Sequence, residues 1–162
     1  MNIVLLEPEI PQNAGNIART CAATKSTLHL IKPLGFSVED KYLKRAGLDY
    51  WNLLDIYYYE NFNHFLEQNP LAKIFMATTK SKKLYTEVEY QQNDYIMFGK
   101  ETAGIPEEIL LEYKQTAVRI PMFEPARSLN LSNAVAIVLY EALRQQNFEG
   151  LLKQGQLHRH TW

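Results

Sequence analysis

The chain has 162 residues, of which 46% are hydrophobic, 12% aromatic and 22% charged, the composition of one ordinary globular domain over residues 1–162. Seventeen basic and eighteen acidic side chains give a formal net charge of −1, so any nucleic-acid site must be a local patch. The single cysteine, Cys21, excludes an internal disulfide, and no Cys/His spacing suits zinc. Only a short apolar run, Ile3 to Leu6, precedes Glu7. Because this run is too short for a signal peptide or a membrane span, we expect a cytoplasmic protein without a membrane partner.

Six short apolar runs recur along the chain, and each has the length of a β-strand. They are Ile3 to Leu6, Leu28 to Ile31, Ile56 to Tyr59, Ile74 to Ala77, Tyr95 to Phe98 and Ala117 to Ile120. Most of them are separated by polar loops and by segments that can be helical. Runs that are apolar on both faces are typical of a parallel sheet covered by helices, so the sequence predicts an α/β domain with about six strands.

Helices are predicted between and after these strands. They cover Asn16 to Thr24, a short segment capped by Asn61 and ending at Gln68, a segment with Pro106 in its first turn and ending at Glu112, and Leu131 to Leu143. The last of these is apolar nearly all round, which requires burial on two sides. One side can pack on the sheet and the other on a second subunit. The polar tail after about residue 147 is expected to fray.

The common catalytic and nucleotide-binding motifs are missing from the sequence. The glycine spacing fits neither GxGxxG nor GxxxxGK[ST], which removes most support for a classical NAD or NTP site. Cys21 lies among the apolar residues of the first helix, and we interpret it as a core residue and not as a nucleophile. No histidine adjoins a candidate serine or cysteine nucleophile in a recognisable motif, so hydrolase chemistry is set aside.

Three polar segments follow strands and contain more than a simple connection needs. They are PEIPQNAGNIART at residues 8–20, FGKETAGIP at 98–106 and IPMFEPARSLNLSNA at 120–134. An ordinary strand-to-helix loop could account for the first, but its Arg19 lies near the predicted helix start, where a cation opposes the helix dipole. The third brings four polar side chains to a helix start that needs one cap. Open α/β sheets bind ligands at the carboxyl ends of their strands, so these segments indicate a binding site.

In this order, the three segments resemble the motifs of the SpoU/TrmH branch of the SPOUT methyltransferases. The first motif, NxGNxxR, is matched at residues 13–19, the second, FGxExxGxP, at 98–106, and the third by IPM followed by RSLNLSNA. The resemblance extends from Asn2 to about Arg144. The absence of an added RNA-binding domain, together with EPEIPQN and RAGLDYW, is similar to the minimal YibK/TrmL type. Members of that type are homodimers that methylate a ribose 2′-hydroxyl at the wobble nucleotide of tRNA.

The resemblance implies a sheet with a deep C-terminal trefoil knot, which the residue pattern alone does not predict. It also implies S-adenosylmethionine as the cofactor, S-adenosylhomocysteine as the product, and no metal. The residues implied to hold the cofactor are Ala77, Thr78, Gly99, Ile120, Met122, Ser128 and Leu129. Backbone groups and apolar walls suit an adenine ring. Gly99 is expected to lie where a side chain would intrude on the ligand.

The implied reaction is methyl transfer to a cytidine or modified uridine in the anticodon loop of tRNA. A ribose hydroxyl is a poor nucleophile, so the protein must align it and help to remove its proton. We assign Arg19 to orienting and activating the 2′-hydroxyl, with Asn13 and Asn133 positioning Arg19 and the ribose. The residues assigned to RNA contact are Lys41, Lys44, Arg45 and Tyr140, the last on the outer face of the final helix.

Two other functions stay open on the sequence alone. One is a nonenzymatic RNA-binding or cofactor-sensing module with the same knotted fold. Arg19 and the Asn/Ser cluster of the third segment argue against it, because binding alone would not require them. The other is a flavodoxin-like binder, which would need a Ser/Thr-rich phosphate loop after the first strand, where EPEIPQN stands instead. The favoured prediction is therefore a homodimeric tRNA methyltransferase.

Overall fold

The computed structural model describes residues 1–37 and 54–161, and its centre is a six-stranded sheet. The strands are β1 (Asn2–Leu6), β2 (Thr27–Ile31), β3 (Ile56–Tyr59), β4 (Ile74–Ala77), β5 (Tyr95–Phe98) and β6 (Ala117–Val118). The helices are α1 (Pro11–Thr24), α2 (Phe62–Gln68), α3 (Glu107–Glu112) and α4 (Leu131–Gln145). The strand order is β3-β2-β1-β5-β4-β6, and each of these neighbouring pairs is parallel. The predicted α/β class with a mainly parallel sheet is confirmed.

The sheet separates two apolar layers, because successive residues of a strand point to opposite faces. In β1, Ile3 and Leu5 pack in the layer that contains the buried residues of α1 and α4. Val4 and Leu6 of the same strand pack in the other layer, against α2 and α3. The continuous apolar run that predicted this strand is thus explained by helices on both faces.

Helix α1 begins at Pro11, well before the predicted start at Asn16. Proline suits the first helical position, because its fixed φ angle is already helical and its missing N–H group would have no partner there. Asn13 and Gly15 are therefore buried helical residues and not part of a loop. Arg19 lies well inside the helix and not near its N-terminus, so its charge does not oppose the positive end of the helix dipole as predicted.

One side of helix α4 packs against the core, and the other side is partly exposed. Val135, Val138 and Leu139 are completely buried, whereas 37% of Ile137 and 47% of Tyr140 are exposed. The apolar character on two sides is present as predicted, but a single chain buries only one of them. Among the described helices, none combines the length and the apolar composition needed to cross a bilayer.

Residues 146–161 follow α4 without forming a helix or strand. Phe148 and Leu151 pack partly against the same core layer as α4, and residues 152–161 are exposed. The structure therefore ties the beginning of the tail to the domain. The expected fraying of the tail stays a prediction.

Candidate functional site

A cavity of about 590 Å³ lies at the carboxyl ends of β4, β5 and β6, where the three polar segments meet. Its lining consists of residues 77–80 and 98–105, several residues between 118 and 138, and Ile10 and Asn13 from the start of α1. Pockets that bury small organic ligands have volumes of roughly 300–1,000 Å³. The cavity therefore has a suitable size, and it lies at the edge where open parallel sheets bind their ligands.

The residues predicted to hold the cofactor all line this cavity. They are Ala77, Thr78, Gly99, Ile120, Met122, Ser128 and Leu129. Ala77 ends β4 and Thr78 follows it, Gly99 follows β5, and the others follow β6. The structure thus brings together residues from three separate segments of the sequence. Their contact with a cofactor stays a prediction.

Gly99 is required by the geometry of its own loop. A Cβ atom at this position would collide with the backbone of Gly104 and Ile105. The loop is closed by a hydrogen bond from the Gly104 amide to the Lys100 carbonyl at 2.8 Å. A side chain at residue 99 is therefore excluded by the protein itself, which differs from the expectation that it would first meet a ligand.

A chain of hydrogen bonds joins the three segments beside the cavity. The Glu101 carboxylate accepts hydrogen bonds from the backbone amides of Glu9 at 2.9 Å and Ile10 at 3.3 Å. It also accepts one from Nδ2 of Asn13 at 2.9 Å. Oδ1 of Asn13 in turn accepts a hydrogen bond from Nδ2 of Asn130 at 2.9 Å. One carboxylate and two amides therefore fix the second and third segments to the start of α1.

Asn130 also caps helix α4. Its Oδ1 accepts hydrogen bonds from the backbone amides of Ser132 at 3.0 Å and Asn133 at 3.4 Å, and from the Ser132 hydroxyl at 2.6 Å. A side chain that caps one helix and donates to another fixes the placement of the two helices. Asn130 was not predicted as a site residue. Glu101, the acidic residue of the second motif, was expected either to anchor its loop or to accept hydrogen bonds from the backbone amides of a helix start. For Asn130 the available signal was its position directly before the helix.

Of the three residues assigned to catalysis, one belongs to the described lining of the cavity. Asn13 lines the cavity and is only 6% exposed. Arg19 and Asn133 are exposed, and neither belongs to the lining of this cavity as the described residues form it. Arg19 follows Asn13 by six positions on α1, which is about 9 Å along the helix axis and on a different side of the helix. The catalytic roles assigned to the three residues stay predictions.

The residues assigned to RNA contact are largely beyond what the structure describes. Lys41, Lys44 and Arg45 lie outside the described residues. Tyr140 lies on the exposed side of α4. Its assignment to RNA stays a prediction, and its position suits an interface equally well.

Two lysines that line the cavity are held by carboxylates. Nζ of Lys80 lies 2.8 Å from Glu107, and Nζ of Lys100 lies 2.6 Å from Glu7. The hydrogen bond from Lys80 lowers the pKa of Glu107, and the hydrogen bond to Glu7 raises the pKa of Lys100. Their positive charges are therefore already balanced within the protein.

Two buried titratable side chains lie away from the cavity. Burial raises the pKa of the Cys21 thiol to about 12, which agrees with its interpretation as a core residue and not a nucleophile. Burial lowers the pKa of His29 to about 4, so its ring is neutral at neutral pH. Nδ1 of His29 lies 2.8 Å from the Tyr59 hydroxyl. Within residues 1–37 and 54–161, no group of three His, Cys, Asp or Glu side chains is placed to hold a metal ion.

The fold and the cavity together define an α/β protein with a cavity of ligand size at the carboxyl ends of parallel strands. The chain matches the SpoU rRNA Methylase family over residues 1–140. It belongs to that family, which confirms the assignment made from the three motifs.

Individual relatives are similar over almost the whole chain. The tRNA (cytidine(34)-2'-O)-methyltransferase of Yersinia pestis is 51% identical over 158 residues, covering 94% of this chain and 98% of the relative. The enzyme of that name from Escherichia coli (strain K12) is 49% identical over 152 residues, covering 93% and 96%.

Solved structures agree with these relatives. A structure that concerns the 2-OH methylation of C/U34 on tRNA is 46% identical with a TM-score of 0.86, covering 90% of this chain and 95% of its own. An AdoMet-bound rRNA methyltransferase from Sinorhizobium meliloti is 25% identical with a TM-score of 0.79, and the match covers 88% of this chain and 55% of that one.

Proposed function

We propose that this protein transfers a methyl group from S-adenosylmethionine to the ribose 2′-hydroxyl of the wobble nucleotide of tRNA, a cytidine or modified uridine at position 34. The observation that carries the proposal is that the three motif segments together line one cavity. Relatives about half identical over nearly the whole chain are named for this reaction. They favour the enzyme over a nonenzymatic binding module.

The residues around the cavity suit the proposed cofactor. Ile120, Leu129 and Val138 offer apolar walls for an adenine, and the 99–104 loop offers backbone donors and acceptors. The related structure with AdoMet bound supports the same cofactor class. When bound, S-adenosylmethionine supplies a methyl group that is already activated on a sulfonium. The work left to the protein is to align the ribose and activate its hydroxyl.

In this reaction Arg19 orients the 2′-hydroxyl and stabilises the negative charge that develops on its oxygen. Asn13 is a positioning residue, because the hydrogen bonds of its side-chain amide fix the first turns of α1 to Glu101 and Asn130. The helix that carries Arg19 is thereby held at a defined distance from the cavity. Such alignment is a large part of what an enzyme contributes when the leaving group is already activated.

We infer that the active form is a homodimer in which Arg19 of one subunit serves the cavity of the other. Arg19 is outside the described lining of its own cavity, so a second chain offers a way to complete the site. Helix α4 leaves Ile137 and Tyr140 exposed on the side that the core does not cover. A surface of this kind can pair with its own copy about a two-fold axis.

We also infer the trefoil knot. On one side β6 is hydrogen-bonded beside β4, with the Thr78 amide donating to the Val118 carbonyl at 2.9 Å. On the other side the Arg119 amide donates to the Lys83 carbonyl at 2.9 Å. Lys83 belongs to the connection between β4 and β5, so β6 lies inside the loop that this connection forms. The chain then returns across the sheet to α4, which supports a path threaded through the loop.

The test is incubation of the protein with methyl-labelled S-adenosylmethionine and total tRNA, followed by mapping of the modified nucleoside. We expect label on the ribose of nucleotide 34. Arg19→Ala should lose the transfer while binding of the cofactor, measured by calorimetry, is retained. Label on a base, or binding of the cofactor without any transfer to tRNA, would overturn the proposal.

A further inference from the structure

Arg127 is the one charged side chain of the cavity lining that the described part of the chain leaves without a partner. Lys80 and Lys100 are held in salt bridges, and Glu101 accepts three hydrogen bonds. Arg127 makes no hydrogen bond, ion pair or ring contact with the described residues. A guanidinium at a cavity with no anion from its own chain is available to an anion from outside the protein.

The position of Arg127 is at the mouth of the cavity and not on its floor. Residues 123–130 form a continuous exposed run, and Arg127 directly precedes the lining residues Ser128 and Leu129. The next residue, Asn130, donates a hydrogen bond to Asn13 of α1. Arg127 therefore lies on the short segment that connects the cavity with the helix carrying Arg19.

The chemistry of this side chain favours an oxyanion. A guanidinium presents several N–H donors in one plane and binds a phosphate or a carboxylate through two parallel hydrogen bonds. The same exposed run presents the ring of Phe123, which is 87% accessible. A cation and an exposed ring on one segment are the pair of contacts that single-stranded RNA commonly uses.

We propose that Arg127 binds the backbone phosphate beside the ribose that is methylated, and so holds the 2′-hydroxyl over the cavity. The proposal rests on methyl transfer to tRNA as the function. A phosphate of a polynucleotide reaches the mouth from solvent, where Arg127 is exposed. The other oxyanion within reach of this site is the carboxylate of the cofactor. Both are bound by the same guanidinium chemistry, but they predict different measurements.

The experiment compares Arg127→Gln and Arg127→Lys with Lys25→Gln. Lys25 is an exposed cation at the C-terminal end of α1, and its substitution removes one positive charge away from the cavity. Calorimetry gives the Kd for S-adenosylmethionine, and filter binding at several salt concentrations gives the Kd for tRNA. For Arg127→Gln we expect the Kd for tRNA to rise on the order of tenfold and the salt slope to fall by about 0.7 to 1. The Kd for S-adenosylmethionine should stay within about twofold, a change worth less than one hydrogen bond.

The lysine variant separates charge from geometry. Arg127→Lys should keep the salt slope and recover only part of the affinity, because an ammonium cannot form two parallel hydrogen bonds. Lys25→Gln should change neither Kd. A weaker affinity for S-adenosylmethionine with an unchanged salt slope for tRNA would assign the guanidinium to the cofactor and overturn the proposal. Unchanged values for both ligands would overturn it too. Because these are binding measurements, they test Arg127 even if the methyl transfer assay contradicts the proposed function.

Discussion

Substitution of Glu101 by glutamine tests the hydrogen-bonded chain beside the cavity. Oε2 of Glu101 accepts from the Glu9 amide, and Oε1 accepts from the Ile10 amide and from Nδ2 of Asn13. Glutamine has the same shape, but one of its two terminal atoms is a donor. Whichever way the amide is turned, an NH₂ group then faces an N–H group. Glu101→Gln therefore breaks at least one hydrogen bond without removing any packing.

The size of the effect follows from the number and kind of these bonds. A hydrogen bond to a charged acceptor contributes about 1.5–3 kcal/mol, and one between neutral groups contributes about 1 kcal/mol. With glutamine at position 101, one hydrogen bond to a charged acceptor is lost, and the remaining ones become weaker because their acceptor is neutral. Glu101 is half-buried, and water can replace part of what is lost. We therefore expect the free energy of unfolding to fall by about 2 kcal/mol. The rate of methyl transfer should fall on the order of tenfold or more, since α1 loses its anchor.

Urea unfolding at one fixed protein concentration measures the first effect, because the stability of an oligomer depends on concentration. The matched control is Glu89→Gln, which removes the same charge from an exposed loop residue. A double-mutant cycle with Asn13→Ala should give a coupling of about 1 kcal/mol between the two residues. Equal stability losses in Glu101→Gln and Glu89→Gln, or strictly additive losses in the cycle, would refute the anchoring role.

Three further predictions concern pH, assembly and the division of the site between chains. The pKa of His29 is about 4 when folded against 6.5 when unfolded, so the unfolded chain binds more protons between these values. The free energy of unfolding should fall by on the order of 2 kcal/mol from neutral pH to about pH 5, and by less in His29→Gln. Tyr140→Asp should reduce the mass measured by light scattering to that of a monomer and abolish activity. Leu152→Asp, in the exposed tail, should do neither. A fully active Tyr140→Asp monomer would contradict the dimer interface at α4. The tryptophan ring of Leu129→Trp would fill the cavity. Mixed dimers of Arg19→Ala with Leu129→Trp should therefore recover one working site. Inactive mixed dimers, after subunit exchange has been confirmed, would place Arg19 and its cofactor in the same chain.

The strands were the most predictable part of the fold. β3, β4 and β5 have the predicted bounds, because each is a short apolar run. β4 and β5 are largely buried inside the sheet, whereas β3 is an edge strand with Tyr57 and Tyr58 exposed. β6 was predicted to end at Ile120 and ends at Val118. Ile120 is apolar because it lines the cavity, and the same apolar residue type serves a strand or a ligand site. The pattern alone could not distinguish the two.

The start of α1 could not be predicted from local sequence. No side chain of the preceding residues caps this helix. The amides of Glu9 and Ile10 are satisfied by Glu101, which lies 92 and 91 positions away. Capping rules apply to residues next to a helix end, so they favoured Asn16 as the start. Only the folded chain brings the distant carboxylate to this position.

The site, like the fold, could be predicted from the sequence only in part. The motifs grouped Gly99, Ser128 and Leu129 correctly at one cavity, because all three follow strands that end at the same edge of the sheet. The placement of Arg19 away from that cavity depends on how far α1 extends and how it is rotated. The double role of Asn130 depends on how α4 crosses α1. Neither is encoded in a spacing between residues.

The residues that join α1 and α4 by hydrogen bonds are far apart in sequence, and this separation bears on what holds the two helices together. The bonds from Asn13 to Glu101 and from Asn130 to Asn13 join residues 88 and 117 positions apart. Closing a loop of that length costs about 4 kcal/mol, whereas the neutral bond from Asn130 to Asn13 returns about 1 kcal/mol and the bond from Asn13 to the Glu101 carboxylate about 1.5–3 kcal/mol. Burial of Val135, Val138 and Leu139 contributes about 1.5–3 kcal/mol each, which is enough to dock α4. Apolar packing therefore holds α4 in place, and the amides select among the positions that packing allows. It follows that Asn13 and Asn130 determine the alignment of the site more than the stability of the fold.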